Sequence, residues 1–568
     1  MYTYEATKRD IVEAIRRAAG ADADLVLSVP PSGVVADLAL PCFPLASRLH
    51  KSPHEVASSL AGAVHIGPRV DSVRADGGYL NFTLARAPFA SSVMSDLAQW
   101  KDRYGSHDVG AGRAVVIDYS SPNIAKPMSV GHLRSTIIGA ALHRLYASLG
   151  YTPVGINHIA DWGTQFGKLL YAFTAWVDRQ AYAEAPLREL LRLYVKFDQE
   201  AQRDPTLDER GREWSLKLER GDPQARALWQ EFVRLSMSEF TKTYDLLDVR
   251  FEHVLGESFY ADKVDAVINE AIRRGVAVED QGALIVRLDD VGLSTPLILR
   301  RSDGATLYHT RDLAAAIYRL KTWNPAQLIY VVGADQRLHF RQLFATLRKL
   351  GYDGVFVHVD FGLITLPEGR MSTRKGRVVF LEDVLEEAML RARRLVDEKN
   401  PELSADERAD VARIIGIGAV KYVDLSQNRV KNIVFDWDRM LSLEGDSAPY
   451  LQYTYVRARS ILRKSGDAVP EGVFDPRAAA SAPEWGLITL LARFPEIVLE
   501  AAQTYHPHLV ATFLLSLAQA FHGFYHEVPV LQAEDAPLRQ SRLQLVGGVA
   551  TVMRGGLDLL GIRVPERM

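Results

Sequence analysis

The sequence predicts a multidomain fold, α/β followed by all-α: a small N-terminal α+β domain, a split α/β domain built on a parallel sheet, and a C-terminal helix bundle. Three observations predict this fold. The chain has 568 residues, more than a single hydrophobic core usually holds together. An apolar β-branched run, a turn and a long helical pattern follow one another between Arg113 and Gly150, as in the opening of a βαβ unit. After Val378 the pattern is helical to the end of the chain.

The N-terminal domain, predicted for residues 1–105, combines a helical period from Ile11 to Ala19 with a strand-like alternation from Tyr79 to Leu84. The α/β domain is predicted for residues 106–380, with strands at Arg113–Tyr119 and Gln327–Gly333. Residues from about 171 to 300 are polar and helical in period, which predicts a mostly helical insertion. The helical remainder divides into a connector, 381–440, and a terminal bundle, 441–568.

The amino-acid composition limits the class of protein and the cellular compartment that we expect. With 48% hydrophobic and 24% charged residues the chain is an ordinary globular protein. The single cysteine, Cys42, excludes an internal disulfide framework and a cysteine-rich zinc site, which favours a reducing compartment. The N-terminus lacks the apolar core of a signal peptide, and the apolar stretch Leu509 to Ala520 is too short to span a bilayer. We therefore expect a cytoplasmic protein that does not enter a membrane.

The tetrapeptide at positions 129–132, Ser-Val-Gly-His, stands after a strand and turn and opens a helix. Backbone N–H groups at a helix N-terminus favour phosphate, and Gly131 lets a nucleotide lie close against the backbone. His132 can donate a hydrogen bond to phosphate oxygens as charge develops during displacement at phosphorus. Taken alone, a Gly-His pair at a helix start is more often structural than catalytic.

A second segment, residues 370–376, places Arg370, Arg374 and Lys375 in a loop that ends at Gly376. Such cations suit a pyrophosphate leaving group, whose charge they can neutralise in the transition state. The alternative is a solvated surface loop, which most runs of charge are.

At these two motifs the sequence resembles the class I aminoacyl-tRNA synthetases, whose two signatures are written HIGH and KMSKS. The resemblance to the arginyl family is closer than that to the class, and it extends over nearly the whole chain. The blocks that carry it are SPNIAKPMSVGHLRSTIIGA (121–140), NHIADWGTQFGKL (157–169), GESFY (256–260), SDGATLYHTRDLAAA (302–316), YVVGADQRLHFRQLF (330–344), MSTRKGRVV (371–379), GAVKYVDLSQNR (418–429) and EGDSAPYLQYTYVRARSILRK (444–464).

The resemblance implies a Rossmann-type parallel-sheet catalytic domain with an insertion, an N-terminal domain that approaches the tRNA elbow, and a C-terminal helical anticodon-binding bundle. It implies a ligase that uses ATP and Mg²⁺ to activate L-arginine and transfers it to the 3′ end of arginine tRNA, with tRNA bound before the first step proceeds efficiently. Many such enzymes are monomers, and we expect a monomer here.

Two departures from the signatures bear on catalysis. Ser129 occupies the position of the first histidine of HIGH, and Thr373 that of the second lysine of KMSKS. That lysine is usually credited with stabilising pyrophosphate. We therefore expect Lys126, Arg374 and Lys375 to share its role beside His132. The ATP-binding residues that the resemblance implies are Ser129, Gly131, His132, Met371 and Ser372.

A site for arginine needs carboxylates aimed at a planar guanidinium, at the carboxyl ends of parallel strands. The resemblance implies five contacts, of which Asp312 and Tyr308 are expected at the guanidinium. The other three are expected to hold the α-amino end or share the head group; they are Asp118, Asn123 and Gln336. From the residues alone, a helix-start acid for Asp312 and a turn residue for Asn123 are the favoured interpretations, and the resemblance reverses that preference.

Because the net charge is −3, a tRNA partner requires local basic patches. Such a patch begins at Arg457 and continues with Arg459, Arg463 and Lys464, directly after the aromatic residues Tyr450 and Tyr453. Cations can follow phosphates and aromatic rings can stack on bases, although an ordinary solvated helix has the same pattern. The resemblance decides for tRNA. It also implies tRNA contacts at Tyr79 and Asn81 of the N-terminal domain and at Met568.

Other interpretations stay open at this point. One is a smaller nucleotidyltransferase with an HxGH-like site, and another is a synthetase for a different amino acid. A third is a synthetase-like protein that binds tRNA but has lost catalysis. His522 and His526 lie four residues apart on a helical pattern but lack a third ligand, so no protein metal site is predicted.

Overall fold

The computed structural model describes residues 1–20, 24–31, 33–365, 379–466 and 468–568. An antiparallel three-stranded sheet with order β1-β3-β2 forms the N-terminal domain together with four helices. The elements of this domain are α1 (Thr3–Ala19), β1 (Leu38–Pro41), α2 (Phe43–Leu49), α3 (Pro53–Ala63), β2 (Val70–Asp76), β3 (Tyr79–Leu84) and α4 (Arg86–Trp100).

A five-stranded parallel sheet forms the centre of the molecule. Its first half and the helices that follow are β4 (Ala114–Asp118), α5 (Val130–Ser148), β5 (Thr152–Asn157), α6 (Thr164–Trp176), α7 (Arg179–Glu184), α8 (Pro186–Ala201), α9 (Thr206–Arg220), α10 (Pro223–Leu246) and β6 (His253–Val254). The chain continues with α11 (Glu257–Tyr260), α12 (Val264–Arg273), β7 (Ala277–Asp280), β8 (Ala283–Val286), β9 (Leu297–Arg300), α13 (Tyr308–Trp323), β10 (Gln327–Gly333), α14 (Arg337–Lys349), β11 (Val355–Phe361) and β12 (Ile364–Thr365), of which the strands β10 and β11 complete the parallel sheet.

The strand order β11-β10-β4-β5-β6 sets the position of the functional crevice. The chain starts at the central strand β4, builds outward on one side, and returns to β10 on the other side. Alternate side chains of β4 enter different cores: Val115 and Ile117 pack in the core that contains α5, and Val116 packs in the core that contains α14. In parallel sheets of this kind ligands bind where the strand order reverses, beyond the carboxyl ends of the strands. Here that position lies beyond Asp118 and Gly333.

The C-terminal part is mainly helical. Its elements are α15 (Leu381–Lys399), α16 (Ala405–Leu425), β13 (Ile433–Val434), α17 (Trp437–Met440), α18 (Ala448–Lys464), α19 (Ala482–Gln503), α20 (His508–Glu527) and α21 (Ala536–Leu559). The short strand β13 pairs in parallel with β12. Among the described helices there is none with the length and apolar character needed to cross a membrane.

The predicted fold class is confirmed, and the structure adds short strands that were not predicted. The segment 171–300, predicted as a mostly helical insertion, is mainly helical and also contains β6, which belongs to the main sheet, and the antiparallel sheet β7-β8-β9. The connector 381–440, predicted to be helical, consists mainly of helices and also contains β13. Both β6 and β13 span two residues, too few to show an alternating pattern in the sequence.

Candidate active site

The loop between β4 and α5 carries several of the predicted residues and has a strained backbone. Ser120, Ser121 and Ala125 have positive φ angles of 74°, 49° and 61°, in the left-handed region that non-glycine residues seldom adopt. Such residues persist where their surroundings hold them in place, and they concentrate at functional sites.

Buried hydrogen bonds hold this loop to the sheet. The Ser120 N–H donates to Ser135 Oγ at 2.9 Å, and Ser135 Oγ in turn donates to the Val331 carbonyl of β10 at 2.6 Å. The Ser121 N–H donates to Asn157 Oδ1 of β5 at 3.2 Å. The loop is thus tied to the strands on both sides of β4.

Helix α5 begins with a capping box made by Ser129 and His132. The Ser129 N–H donates to His132 Nδ1 at 3.0 Å, and Ser129 Oγ lies 3.1 Å from the same nitrogen. Burial lowers the pKa of His132, and the nearby Lys126 charge lowers it further, against the raising effect of the Ser129 hydrogen bond. A neutral ring that accepts at Nδ1 carries its proton on Nε2. His132 is therefore prepared to donate from Nε2.

Gly131 leaves space at the helix start. A Cβ built on this residue would lie 3.4 Å from Ser129 Oγ, and it would contact no other part of the described chain beyond its own neighbours and the backbone of its own helix. Gly131 is exposed, so its first-turn backbone is accessible to a ligand.

The second signature segment, with Arg370, Met371, Ser372, Arg374 and Lys375, lies outside the described residues, as does Thr373. The residues that follow it contact the first signature directly. The Val130 N–H donates to the Val379 carbonyl at 3.1 Å, and the Leu381 N–H donates to the Met128 carbonyl at 2.8 Å. The chain therefore returns from the second signature segment onto the start of α5.

Asp312, one turn into α13, lies between two histidines. Its Oδ2 is 2.8 Å from His339 Nε2, and its Oδ1 is 3.6 Å from His158 Nε2. Burial raises the pKa of Asp312, but both histidines lower it more, so the pKa stays well below its usual range and the carboxylate is ionised. Its side chain is 24% exposed, so a ligand can reach it.

His158 is fixed by its other nitrogen, Nδ1, which lies 2.9 Å from the Leu255 carbonyl. Burial lowers the pKa of His158, but the neighbouring Asp312 carboxylate and the Asp118 charge raise it, and the net shift is upward. His158 therefore gains a proton at a higher pH than an ordinary histidine does.

Tyr308 lies one turn before Asp312 and is 47% exposed. It lines an open cleft of about 1260 Å³ together with Gln165 and Gly163 from the start of α6. Trp162, Arg311 and Glu257 also line this cleft, and Arg311 Nε donates to Glu257 Oε2 at 3.1 Å. The cleft has room for a ligand larger than a free amino acid.

Asp118 ends β4, as predicted, but both of its oxygens have partners within the chain. Arg319 Nη1 lies 2.7 Å from Oδ2, and Ser121 Oγ donates to Oδ1 at 3.0 Å. Arg319 is fully buried, so this ion pair is enclosed in the protein. A carboxylate paired in this way offers little net charge to a ligand.

The other two predicted arginine contacts lie at the expected strand ends. Asn123 forms an isolated parallel bridge with Ala160, beyond the ends of β4 and β5. Gln336 is exposed at the start of α14, one turn before the buried His339.

The predicted anticodon residues lie mainly on α18. Arg457 donates to Tyr453 Oη, and its guanidinium carbon lies 4.3 Å from the centre of the Tyr525 ring on α20. Tyr450 is only 9% exposed and packs against His522, with 5.1 Å between ring centres. Tyr453 and Arg457 are thus brought together, whereas Tyr450 belongs mainly to the core. Met568 is half-buried against the helical core.

In the N-terminal domain Tyr79 is 46% exposed and packs edge-on against the exposed Phe43, with 5.7 Å between ring centres. Asn81 lies in the middle of the sheet, paired in register with Ala39 on one side and Arg74 on the other.

Three residues at these sites were not predicted from the sequence: Arg319, which contacts Asp118, His339, which contacts Asp312, and Tyr525, which packs against Arg457. Arg319 lies two turns after Asp312 on the same helix, and a charged residue in that apolar stripe was the available signal. His339 and Tyr525 had no comparable signal, because their partners lie on other elements.

Three family models match the chain in order. They are described as an arginyl tRNA synthetase N-terminal domain (residues 5–84), the catalytic domain of class I tRNA synthetases for arginine (93–437) and a DALR anticodon-binding domain (451–568). The arginine–tRNA ligase of Chloroflexus aurantiacus is 46% identical over the full length of both chains. That of Halothermothrix orenii is 42% identical over 96% of this chain and 95% of its own.

The arginyl-tRNA synthetase structure from Thermus thermophilus has a similar fold, with a TM-score of 0.84 and 28% identity over 99% of this chain and 100% of that one. The family models account for the N-terminal, central and C-terminal parts of the chain, and the relatives match from end to end. The chain therefore belongs to the arginyl-tRNA synthetases, within class I of the aminoacyl-tRNA synthetases.

Proposed function

We propose that the crevice beyond β4 and β10 performs both steps of the arginine–tRNA ligase reaction, with Asp312 as the residue that binds the guanidinium. The family activity joins arginine to its tRNA with the use of ATP. The positions of the individual residues support a role for each in these steps.

The observation that carries the proposal is the ionised Asp312 carboxylate at the start of α13. It is partly exposed, and its neighbours keep it charged, as a guanidinium site requires. Tyr308, one turn earlier, would cover the planar head group with its exposed ring.

At the other end of the substrate, Asn123 and Gln336 would hold the α-amino group at the ends of β4 and β10. Asp118 would act there mainly by positioning, since its ion pair with Arg319 joins the end of β4 to α13. Its own hydrogen bond to Ser121 supports this role.

ATP, as its Mg²⁺ complex, would place its phosphates at the start of α5. The exposed backbone at Gly131 and the Nε2–H of His132 are the donors proposed there, since the Val130 N–H is bonded to the Val379 carbonyl. Ser129 would contribute mainly by fixing the tautomer of His132. Lys126 would supply a positive charge nearby, and Arg374 and Lys375 stay predicted partners for pyrophosphate, with Met371 and Ser372 beside ATP.

The protein itself contributes little covalent chemistry to the reaction. The arginine carboxylate attacks the α-phosphorus of ATP, forming arginyl-adenylate and releasing pyrophosphate. A hydroxyl of the terminal tRNA adenosine then attacks the arginyl carbonyl and releases AMP. Positioning and charge stabilisation account for most of the acceleration in such reactions.

Recognition of tRNA would use Tyr453 and Arg457 for anticodon bases, with Tyr450 supporting them from the core and Met568 beside them. Tyr79 and Asn81 would contact the elbow region. A monomeric state and a cytoplasmic location stay predictions.

The test is arginine-dependent exchange between ATP and pyrophosphate in the presence of Mg²⁺, with and without arginine tRNA. We expect exchange with arginine and not with other amino acids, and only when tRNA is present. Exchange with another amino acid would contradict the assignment of arginine as the substrate. Binding of tRNA without any exchange would contradict the proposed site.

A further inference from the structure

The loop that carries Lys126 is contacted by two helices that lie far from it in the sequence, α8 and α10. Lys126 Nζ lies 3.6 Å from the centre of the Tyr194 ring on α8, which is a close cation–π contact. Its charge is near enough to His132 to lower the pKa of that histidine. Lys126 is thus held between a helix beyond β5 and the start of α5.

The backbone before Lys126 is held by α10. Ala125 has a φ of 61°, and its N–H donates to Ser236 Oγ at 2.7 Å. Ser236 is fully buried, and its hydroxyl donates to the Phe232 carbonyl at 2.6 Å. Because that donor is engaged, Ser236 Oγ is left to accept from Ala125, which fixes the left-handed turn that directs the next side chain.

A second contact from α10 supports the same loop. Tyr244 Oη lies 2.8 Å from Ser120 Oγ and accepts from Asn157 Nδ2 at 3.0 Å. The loop is therefore held from outside by α10 at both of its strained ends.

The nature of the Tyr194 contact matters for a phosphate site. A carboxylate that held an ammonium would also cancel its charge, whereas an aromatic face attracts it without adding a negative charge. The carboxylates that line the same pocket lie against another cation: Lys168 Nζ is 2.8 Å from Asp208 and 3.8 Å from Asp198. Tyr194 can thus attract the Lys126 ammonium without adding a negative charge of its own.

We propose that Tyr194 and Ser236 are positioning residues for Lys126, so that the helices between β5 and β6 set the geometry of the cation that assists phosphate chemistry. Tyr194 orders the side chain, and Ser236 fixes the backbone turn from which it extends. The proposal rests on the catalytic role proposed above for Lys126.

The test is the kcat of arginine-dependent exchange, measured with tRNA for Tyr194→Leu and Lys126→Ala and for the double variant. Loss of the cation–π contact should lower kcat about threefold to tenfold in the wild-type background. In the Lys126→Ala background, Tyr194→Leu should have no further effect. Tyr194→Phe keeps the aromatic ring, so this variant should retain most of the wild-type kcat.

For Ser236 the matched pair is Ser236→Ala and Ser238→Ala, since Ser238 is exposed on the same helix. We expect Ser236→Ala to lower kcat with little change in the KM for arginine, and Ser238→Ala to leave both unchanged. The effect of Ser236→Ala on kcat should also disappear in the Lys126→Ala background.

Equal losses with and without Lys126, accompanied by lower thermal stability, would show a structural role only and overturn the proposal. A normal kcat for Tyr194→Leu would also overturn it. If Lys126→Ala itself had normal kcat, the proposed catalytic role of Lys126 would be wrong, a result that the single variant shows directly.

Discussion

Replacement of Asp312 by Asn removes one negative charge from α13 and keeps the size of the side chain. Removal of one partner of a buried, hydrogen-bonded charge pair costs about 2 to 5 kcal/mol. Because Asp312 is 24% exposed and already shares its charge with His158 and His339, we expect a loss at the lower end. About 2 kcal/mol corresponds to a roughly 30-fold fall in kcat/KM for arginine.

The assay is exchange between ATP and pyrophosphate at varied arginine concentration, with tRNA present. Citrulline, the neutral counterpart of arginine, provides a comparison of charge at constant shape. Asp312→Asn should weaken arginine use while leaving weak inhibition by citrulline nearly unchanged. Asp265→Asn, at an exposed acid in the first turn of α12, is the matched control for loss of one charge. An unchanged kcat/KM for arginine in Asp312→Asn would refute the assignment.

Three further predictions concern other parts of the site. Because the pKa of His158 is raised, this residue should become a cation as pH falls through its pKa and then compete with the guanidinium at Asp312. The KM for arginine should therefore rise toward acid pH, and His158→Asn should flatten this dependence of KM on pH. The buried pair of Arg134 and Asp424 should make Arg134→Met lose about 3 to 5 kcal/mol of unfolding free energy in urea denaturation, because Asp424 would be left as an unpaired buried charge. Arg457→Ala should raise the KM for tRNA in aminoacylation with little change in the KM for ATP, and an unchanged KM for tRNA would remove Arg457 from the anticodon contacts.

The longer elements of the fold were predictable from their residue patterns. The strands Tyr79–Leu84 and Gln327–Gly333 have the predicted bounds, and α5 begins directly after Ser129. By contrast β6, with the two exposed residues His253 and Val254, has no periodic signal and depends on a neighbouring strand for its pairing.

The candidate site shows the same division between local and distant information. The start of α5 could be predicted because Ser129 and His132 interact within one helical turn. The ion pair of Asp118 with Arg319 could not, since it depends on how α13 packs against the sheet. His339 of α14, whose side chain contacts Asp312, could not be predicted for the same reason.

The strained loop between β4 and α5 has a consequence for any effort to make this enzyme more heat-stable. Its left-handed serines and alanine are each unfavourable by about 1 kcal/mol or more, so glycine at these positions would relieve strain. Yet the same geometry orients the groups that are proposed to contact the substrates, and a relaxed loop would orient them less well. Stabilising substitutions are better made on the outer surface, because at this loop a gain in stability is expected to lower the turnover rate.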